Sequence, residues 1–303
     1  MEQQPLVSFI VPFYGVEDYI ETSARSLMEQ TYPHLEFIFI DDGSTDRSLD
    51  ILEGVLKEYP ERDTKVLRQQ NQGASVARET GIRAAKGDYI LFLDSDDWIE
   101  PDAAELFVRK ALETGADLVL CAFWKEKKNG PKLRHERVYT PGEKGTWMKR
   151  LYVDRAYGYV WIKMTPASVY KDFFFPKYSM HEDLIYTTQF VYRASSFAYI
   201  DKPLVHYRRN NPSSVTRFSR NKRHIQSARN LLDFYVHGGP EAEVVKKDLL
   251  LRGAWAAFWR DRTLFRDYPF LRDKALTVPL TPGRRITLVE QLILKCFLAT
   301  HHF

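Results

Sequence analysis

Short apolar runs alternate with amphipathic segments through the first 124 residues of the chain. The runs are rich in Val, Ile, Leu and Phe, as buried strands are, whereas between them apolar residues recur every three or four positions. This pattern predicts strands at 6–11, 35–40, 64–69, 88–94 and 116–123, with helices at about 17–30, 46–59 and 74–86 and another that begins at Pro101. Strands that alternate with helices indicate an α/β fold with a mostly parallel, doubly wound sheet flanked by helices.

Beyond Trp124 this alternation stops. Residues 125–137 are charged and rich in turn formers, which predicts a loop or an exposed hairpin. An aromatic segment follows at 157–175. We predict helices at 143–153, 183–194, 217–236, 241–268 and 286–299, and short strands at 197–201 and 204–208. The chain therefore ends in a helical appendage.

Two acidic clusters come directly after predicted strands. They run from Asp41 to Asp46 and from Asp94 to Asp97. Because parallel strands end at one edge of a sheet, where open α/β folds bind ligands, we expect the two clusters to lie close together. Crowded carboxylates repel one another unless a cation or a polar ligand joins them. Asp and Ser also favour helix N-caps, so two capped helices remain the alternative to a site for a divalent metal and a nucleotide.

The charge of the chain is unevenly placed. The 303 residues are 44% hydrophobic and 28% charged, as in a soluble globular protein, and the net charge is +4. From residue 201 onward, 19 Lys and Arg stand against 9 Asp and Glu, a balance of +10, so that residues 1–200 carry −6. A basic C-terminal part suits anionic material, namely membrane lipid, a phosphorylated acceptor or nucleic acid. A solvated basic helix surface is the alternative.

Cysteine and hydropathy patterns favour a cytoplasmic protein. Cys121 and Cys296 are the only cysteines and have no His at metal-ligand spacing, so neither a zinc site nor a disulfide framework is expected. The N-terminal apolar stretch is short and has no basic segment before it, which indicates a strand and not a signal peptide. No run approaches the ~20 apolar residues of a membrane-spanning helix.

Five segments occur in an order that resembles a known family. They read VSFIVPFYG, FIDDGSTDRS, QNQGASVARETGIRAAKGDYILFLDSDDW, HEDLIYT and KPLVHYRRNNPSSVTR. Together they resemble the family 2 glycosyltransferases of the GT-A fold, over about residues 5–217. The resemblance implies transfer of a sugar from a nucleoside diphosphate donor, with inversion. It also implies a catalytic domain at 1–216, with donor binding in 1–124 and acceptor binding in 125–216, and a helical region at 217–303.

The resemblance assigns a metal and the nucleotide base to the two acidic clusters. The DxD element of the family is matched by Asp94, Ser95 and Asp96. Within it we expect Asp96 to bind the metal and Asp94 to lie nearer the ribose. Asp97 is a second candidate ligand because the cluster is one residue longer. Mg²⁺ or Mn²⁺ is expected because the ligands are hard oxygens. Asp42, or its neighbour Asp41, resembles the residue that accepts a hydrogen bond from uracil, which favours a UDP-sugar.

Five further residues resemble the donor-binding positions of the family, and two resemble its catalytic pair. Pro12 and Tyr14 end the first strand where the base is expected, although an aromatic residue there is more often core. Arg78 resembles a basic residue that reaches the nucleotide, and His206 and Arg208 resemble residues near the diphosphate. Asp183 matches the general base of the family, with Glu182 binding acceptor or donor sugar. The alternative for this pair is an N-cap with acidic first-turn residues.

Two other functions compete with sugar transfer. A sugar-nucleotide nucleotidyltransferase would need a Gly-rich basic loop after the first strand, where this chain has the acidic PFYGVEDYI. An inactive membrane-associated binding protein would dock through the basic C-terminal helices, but the intact DSDD and HED elements argue against it.

We expect a saccharide or lipid-linked acceptor and no nucleic acid partner. Residues 241–303 pair apolar and aromatic positions with arginines, and ITLVEQLILKCFLA has the spacing of a helix that lies in a membrane interface. The chain is therefore expected in the cytoplasm, with a possible peripheral attachment to an anionic inner membrane face. Packing of this apolar face on the catalytic domain is the alternative.

Overall fold

The computed structural model describes residues 4–137, 139–152, 156–209, 220–246, 248–250, 252–253, 261 and 263–272. Its strands are β1 Val7–Phe13, β2 Leu35–Asp41, β3 Asp63–Arg68, β4 Tyr89–Phe92, β5 Trp98–Ile99, β6 Leu118–Glu126, β7 Lys132–Arg134, β8 Lys163–Pro166 and β9 Phe197–Arg208. Its helices are α1 Ile20–Met28, α2 Ser48–Lys57, α3 Ala74–Ala84, α4 Ala103–Thr114, α5 Lys144–Leu151, α6 Glu182–Arg193, α7 Arg220–His237, α8 Gly239–Val244 and α9 Leu264–Asp267.

The strands form one sheet in the order β3-β2-β1-β4-β8-β6-β9-β5, with β7 paired to β6. Strands β3, β2, β1 and β4 pair in parallel, as β6 and β9 do. The pairs that β8 makes with β4 and β6 are antiparallel, and so are the pairs β5–β9 and β6–β7. The predicted α/β class, with helices flanking the sheet and a C-terminal helical region, is confirmed.

The sheet core explains how α3 is positioned. Every residue of β1 and β2 is buried, as expected for parallel strands that are covered on both faces. Gly81 of α3 packs against this core, since a Cβ there would lie 2.5 Å from Cγ2 of Ile10 and 2.7 Å from Cδ1 of Ile40. A side chain at residue 81 would therefore push the helix away from the sheet. Arg78, one helical turn earlier, is thereby held near the ends of the strands.

In the second half, one predicted pair of strands differs from the structure, and one of the two alternatives given for the segment 125–137 is found. The strands expected at 197–201 and 204–208 are one strand, β9, with an irregularity where Pro203 pairs with Ala122 of β6. Pro has no N–H to donate to a ladder, so a break in register there leaves no donor unpaired. The segment 125–137 contains a hairpin, in which β7 pairs with the end of β6.

The prediction of one unbroken helix over 241–268 is wrong, although much of the described part of this range is helical. Helix α8 ends at Val244, residue 245 is in a turn, residues 246, 248–250 and 252–253 are helical, Asp261 is not, and α9 covers Leu264–Asp267. Leu264 and Phe265 join a cluster with Ala228 and Leu232 of α7. The predicted helix 286–299 lies outside the described residues, and no helix within them is long and apolar enough to cross a membrane.

Candidate active site

Asp41 and Asp42 lie at the end of β2, and the protein itself occupies most of their oxygens. Both are buried. Asp41 accepts hydrogen bonds from the backbone of Ser44 (2.7 Å) and from Arg68 Nε (3.1 Å). Asp42 accepts one from Gln69 Nε2 (2.8 Å) and two from the backbone N–H groups of Gln72 and Gly73 (2.9 and 2.7 Å). A carboxylate has about four acceptor positions, so Asp42 retains about one for a nucleobase while it also holds the loop before α3.

Tyr14 is exposed beside this strand end. Pro12 is buried within β1, whereas 49% of the Tyr14 surface is accessible, the largest exposed fraction among aromatic side chains of the described residues. The loop after Tyr14 is tied to the DGSTD segment, because the backbone of Val16 donates to Ser48 Oγ (2.8 Å) and that of Glu17 to Asp46 (3.1 Å). An accessible ring on a fixed loop suits stacking on a base.

The acidic loop after β4 has one buried and two more accessible carboxylates. Asp94 and Asp96 are partly exposed, whereas Asp97 and Ser95 are buried. Burial raises the pKa of Asp97 well above its ordinary value, and the charges of Asp96 and Asp94 raise it further. Asp97 Oδ1 accepts the backbone N–H of Arg208 at 2.7 Å, so this carboxylate joins the loop to the end of β9.

Arg208 also contacts this loop through its side chain. Its Nε donates to the backbone oxygen of Asp96 at 2.9 Å. The guanidinium lies over the rings of Tyr19 and Trp98, at 5.0 and 4.8 Å from their centroids. A cation fixed between two rings beside the acidic loop is placed as a diphosphate requires.

His206 is bound by two carboxylates. Its Nδ1 lies 2.8 Å from Glu126 and its Nε2 lies 2.9 Å from Glu100. The ring stacks on Trp98 with 4.8 Å between centroids. Both ring nitrogens therefore have protein partners, and the predicted approach of His206 to a diphosphate would require one of them to be released.

Arg78 joins the acidic loop to the first turn of α6. It is 3% exposed. Its Nη2 donates to Asp94 at 2.7 Å, and its Nη1 donates to Glu182 at 3.1 Å and lies 3.7 Å from Asp183. The three carboxylates raise the pKa of the guanidinium, although burial opposes them. One buried cation thus brings together residues that are 16 and 104 positions away in sequence.

The carboxylate of Asp183 has properties that suit a general base. Burial raises its pKa to about 8, and Glu182 and Asp94 raise it too, while Arg78 lowers it. Burial likewise raises the pKa of Glu182, which Arg78 opposes. Within the described residues, Asp183 Oδ1 is buried and accepts no hydrogen bond. A carboxylate of raised pKa with an unused acceptor oxygen can take a proton from a hydroxyl near neutral pH.

The turn that starts α6 is held by the C-terminal helix α7. His181 precedes Glu182 in the left-handed region, with φ 60°, which is uncommon for a residue other than glycine. Its Nδ1 lies 2.5 Å from Ser227 Oγ. Asn230, fully buried, donates to the backbone oxygens of Tyr178 (2.6 Å) and Met180 (2.9 Å) and accepts the backbone N–H of Tyr178 (3.0 Å). Helix α7 therefore fixes the backbone that places the candidate base.

The sequence motifs missed a buried lysine beside the same turn. Lys163 is 1% exposed, and its Nζ donates to the backbone oxygens of Tyr157 (3.0 Å) and Tyr159 (2.6 Å). Burial lowers the pKa of its ammonium to about 8, while Glu136 and Asp183 raise it. A lone lysine between apolar residues in VWIKMT was the sequence signal for such a group.

Asp94 and Asp96 are the residues best placed to hold a divalent metal. Their partly exposed carboxylates follow the same strand and supply the hard oxygens that Mg²⁺ and Mn²⁺ prefer. Across the described part of the chain, no group of three or more His, Cys, Asp or Glu side chains is arranged to hold an ion. The residues fit a metal that takes its other ligands from a diphosphate and water.

Comparison with known proteins agrees with this fold. The chain superposes on S. aureus TarS 1–349 in complex with UDP-GlcNAc with a TM-score of 0.65 and 22% sequence identity, over 94% of this chain and 77% of that one. It is 36% identical over 228 residues to the putative glycosyltransferase EpsH of Bacillus subtilis, which is 72% of this chain and 65% of the relative. It is 42% identical over 120 residues, 40% of this chain and 45% of the relative, to the putative teichuronic acid biosynthesis glycosyltransferase TuaG of the same organism.

The matched part of the chain spans just under two thirds of EpsH and less than half of TuaG. Residues 8–178 match the family Glycosyl transferase family 2. This segment contains the acidic ends of β2 and β4 and Arg78, and it stops just before Glu182 and Asp183. The chain belongs to glycosyl transferase family 2.

Proposed function

We propose that the chain transfers a sugar from a UDP-sugar to a hydroxyl of a saccharide or lipid-linked acceptor, with inversion, in the synthesis of cell-surface polysaccharide or glycoconjugate. The observation that carries this proposal is the Arg78 bridge, in which one buried guanidinium joins Asp94 on the donor side to Glu182 and Asp183 on the acceptor side. Family membership, the UDP-GlcNAc complex of TarS and the similarity to TuaG, a putative teichuronic acid biosynthesis glycosyltransferase, support it.

In the proposed reaction Asp183 takes the proton of the acceptor hydroxyl. The acceptor oxygen then attacks the anomeric carbon from the face opposite the diphosphate, the bond between that carbon and the phosphate oxygen breaks, and UDP leaves. A single displacement of this kind inverts the anomeric configuration, and it needs one base on the attacking side. Glu182 shares Arg78 with Asp94, so it is placed to hold the transferred or the accepting sugar between the two sides.

On the donor side, we assign Asp42 and Tyr14 to binding of the nucleobase. We assign Arg78 and Arg208 to the diphosphate region. Asp94 and Asp96 would hold Mn²⁺ or Mg²⁺, which when bound offsets charge on the diphosphate leaving group. Asp97 faces inward and takes the backbone N–H of Arg208, so its proposed part is to hold the loop. We assign donor binding to residues 1–124, acceptor binding to 125–216, and support of the site to the helical region 217–303.

Peripheral attachment to an anionic membrane face remains part of the proposal, and it rests on the basic balance of residues 201–303. Most of the apolar segment that would insert lies outside the described residues. Co-sedimentation with anionic vesicles at low salt tests it, with the full chain compared with a chain that ends before Thr281. We expect the full chain to pellet with the vesicles and the shortened chain to stay in solution. If neither chain pellets, the proposed membrane attachment is wrong and the C-terminal segment serves to pack on the rest of the protein.

UDP binding and product analysis test the main proposal. UDP is expected to bind more tightly with Mn²⁺ than with EDTA, and Asp96→Ala is expected to remove this difference, whereas Asp50→Ala, an exposed carboxylate on α2, keeps it. UDP-sugar with Mn²⁺ should release UDP. Equal UDP affinity with and without EDTA would refute the metal assignment, and release of pyrophosphate from a nucleoside triphosphate and a sugar phosphate would favour the nucleotidyltransferase.

A further inference from the structure

One face of the β6–β7 hairpin carries a group of basic side chains. Lys125 of β6 pairs with Lys132 of β7 and with Tyr207 of β9, and the neighbouring Phe123 pairs with Arg134. Because side chains alternate between the two faces of a sheet, these five lie on the same face. We call Lys125, Lys132 and Arg134 the basic hairpin face.

The basic hairpin face is unfavourable for the fold alone. Like charges directly opposite one another on two strands destabilise the pair. Along the described chain, none of the three cations of this face forms a salt bridge with a carboxylate. Burial lowers the pKa of the Lys125 ammonium, and Arg209, Arg134 and Lys127 lower it further, so two more cations lie close by. Such a concentration of positive charge suits an anion.

A stack of aromatic rings adjoins the basic hairpin face. Successive ring centroids lie 5.4 Å apart for Tyr157–Tyr159, 4.8 Å for Tyr159–Trp161 and 5.4 Å for Trp161–Tyr207, and all three pairs are stacked. Lys125 Nζ lies 5.8 Å from the centroid of Tyr207. The three tyrosines are only partly buried. Trp161 itself is 1% exposed, so the accessible part of the stack consists of these three tyrosines, of which Tyr207 reaches the basic hairpin face.

The backbone between Tyr157 and Tyr159 packs on the first turns of α6, which carry the candidate general base. A Cβ on Gly158 would lie 2.6 Å from Cδ2 of Leu184 and 3.5 Å from the carbonyl carbon of Asp183. Thr187 of α6 donates to the backbone oxygen of Gly158 at 2.8 Å. Burial and then Asp183 raise the pKa of the Tyr159 phenol, whereas Arg209 and Arg134 lower it. Tyr159 therefore lies within electrostatic reach of both Asp183 and the basic hairpin face.

We propose that this surface binds a phosphorylated saccharide as the acceptor, with a sugar ring on the aromatic stack and its phosphate on the basic hairpin face. The C–H face of a pyranose packs well on a flat ring, as an apolar surface does. A phosphate monoester carries about −1.5 to −2 charge and accepts hydrogen bonds from several cations. A neutral sugar would form no ion pair with the cations of the basic hairpin face. A lipid headgroup without a sugar would make no contact with the aromatic rings.

This inference rests on the proposed function only in placing the acceptor hydroxyl at Asp183. Binding of the sugar phosphate to the stack can be measured without any transfer. We therefore choose a test in which UDP first fills the donor site in the presence of Mn²⁺, so that a sugar phosphate cannot report binding there. Failure of UDP to bind contradicts the proposed function, whereas failure of the sugar phosphate to bind contradicts only this inference.

The probes are glucose 1-phosphate, galactose 1-phosphate and N-acetylglucosamine 1-phosphate, with the methyl glycosides as neutral counterparts. Binding to the full chain is followed by saturation-transfer NMR or calorimetry. At least one sugar phosphate is expected to bind about ten-fold or more tightly than its methyl glycoside, because two charge-assisted hydrogen bonds are worth at least this factor. In the double variant Lys125→Glu/Arg134→Glu the advantage of the phosphate should disappear.

Lys57→Glu, at an exposed position at the end of α2, is the matched control for a change of charge and should retain the advantage. The double variant Lys125→Gln/Arg134→Gln removes the two charges without reversing them, and so is less prone to misfold than the Glu variant. In each variant, unchanged UDP affinity shows that the fold is intact. Tyr157→Leu should weaken both the sugar phosphate and the glycoside. Equal affinity for sugar phosphate and glycoside overturns the inference. So does phosphatidylglycerol vesicle binding that the double variant loses while sugar phosphates remain bound.

Discussion

Arg78→Met tests the electrostatic reasoning about the site most directly. The substitution keeps an unbranched apolar stem but removes a guanidinium that is 3% exposed and lies 2.7 Å from Asp94, 3.1 Å from Glu182 and 3.7 Å from Asp183. Three carboxylates then surround a space without a cation. Removal of one partner from a buried ion pair typically costs about 3–5 kcal/mol, a large part of the ~5–15 kcal/mol by which a domain is stable.

The loss in free energy of unfolding caused by Arg78→Met should depend on pH in a defined direction. Burial raises the folded-state pKa of Asp183 to about 8 from 3.8, so this group reduces the free energy of unfolding as pH rises between those values. Arg78 lowers the folded-state pKa of both Asp183 and Glu182. Without Arg78 these values rise further and stability falls over a wider range. The difference between wild type and Arg78→Met should therefore grow from pH 7 to pH 9, where Asp183 of the folded wild type loses its proton and that of the folded variant keeps it.

Urea denaturation at pH 7 and pH 9 measures both the cost of the substitution and its pH dependence. Arg109→Met is the control, because Arg109 forms one i,i+4 pair with Glu113 and both side chains are 56% exposed. Exposed pairs contribute little, so its cost should stay below about 0.5 kcal/mol at both pH values. A cost for Arg78→Met below about 1 kcal/mol at pH 9, or one that is equal at pH 7 and pH 9, would refute the ion-pair reasoning.

Three further predictions concern the candidate base and its support. Asp183→Asn should keep UDP affinity and lower the transfer rate ~10²–10⁴-fold, with Asp172→Asn as the exposed control; near-normal turnover would move the base to Glu182. Because the base acts deprotonated and its pKa in the free protein is about 8, kcat/KM should rise with pH up to about 8 and then level, and a flat profile from pH 6 to 9 would contradict this. Asn230→Leu removes three hydrogen bonds, so it should lower the free energy of unfolding, measured by urea denaturation, by about 2–4 kcal/mol. It should also slow transfer. An unchanged urea unfolding transition would contradict the role of α7.

The first half of the fold could be predicted because its signals are local. Runs such as LEFIFI and YILFLD are apolar at every position, and β2 and β4 fall within the predicted 35–40 and 88–94 or extend one residue beyond. The ends of those strands bring the two acidic clusters to one edge, as parallel pairing requires. In contrast, the meeting of Arg78 with Glu182 spans 104 residues. Neither the pattern nor the resemblance to a family, which placed Arg78 at the nucleotide and Glu182 at a sugar, predicted this contact.

Other parts could not be predicted because tertiary contacts decide them. The periodicity of residues 241–268 is helical, yet the burial of Leu264 and Phe265 against α7 outweighs continuous helix formation. The three hydrogen bonds of Asn230 hold a backbone segment about fifty residues away, and an Asn within a helical pattern gives no sign of this. Lys163 stood out as a charge among apolar residues, but its acceptors, two backbone oxygens, have no signature in sequence.

The first turn of α6 combines features that are unfavourable for stability and favourable for taking up a proton. The left-handed His181 sets a sharp entry, after which Glu182 and Asp183 lie at the positive end of the helix dipole. That position favours their charged forms, yet burial raises the pKa of both. Asp183 Oδ1 accepts no hydrogen bond among the described residues, which costs of order 1–3 kcal/mol. Since α7 holds the backbone of this turn and Arg78 contacts both carboxylates, the fold retains this arrangement, and an acceptor hydroxyl would supply the missing donor.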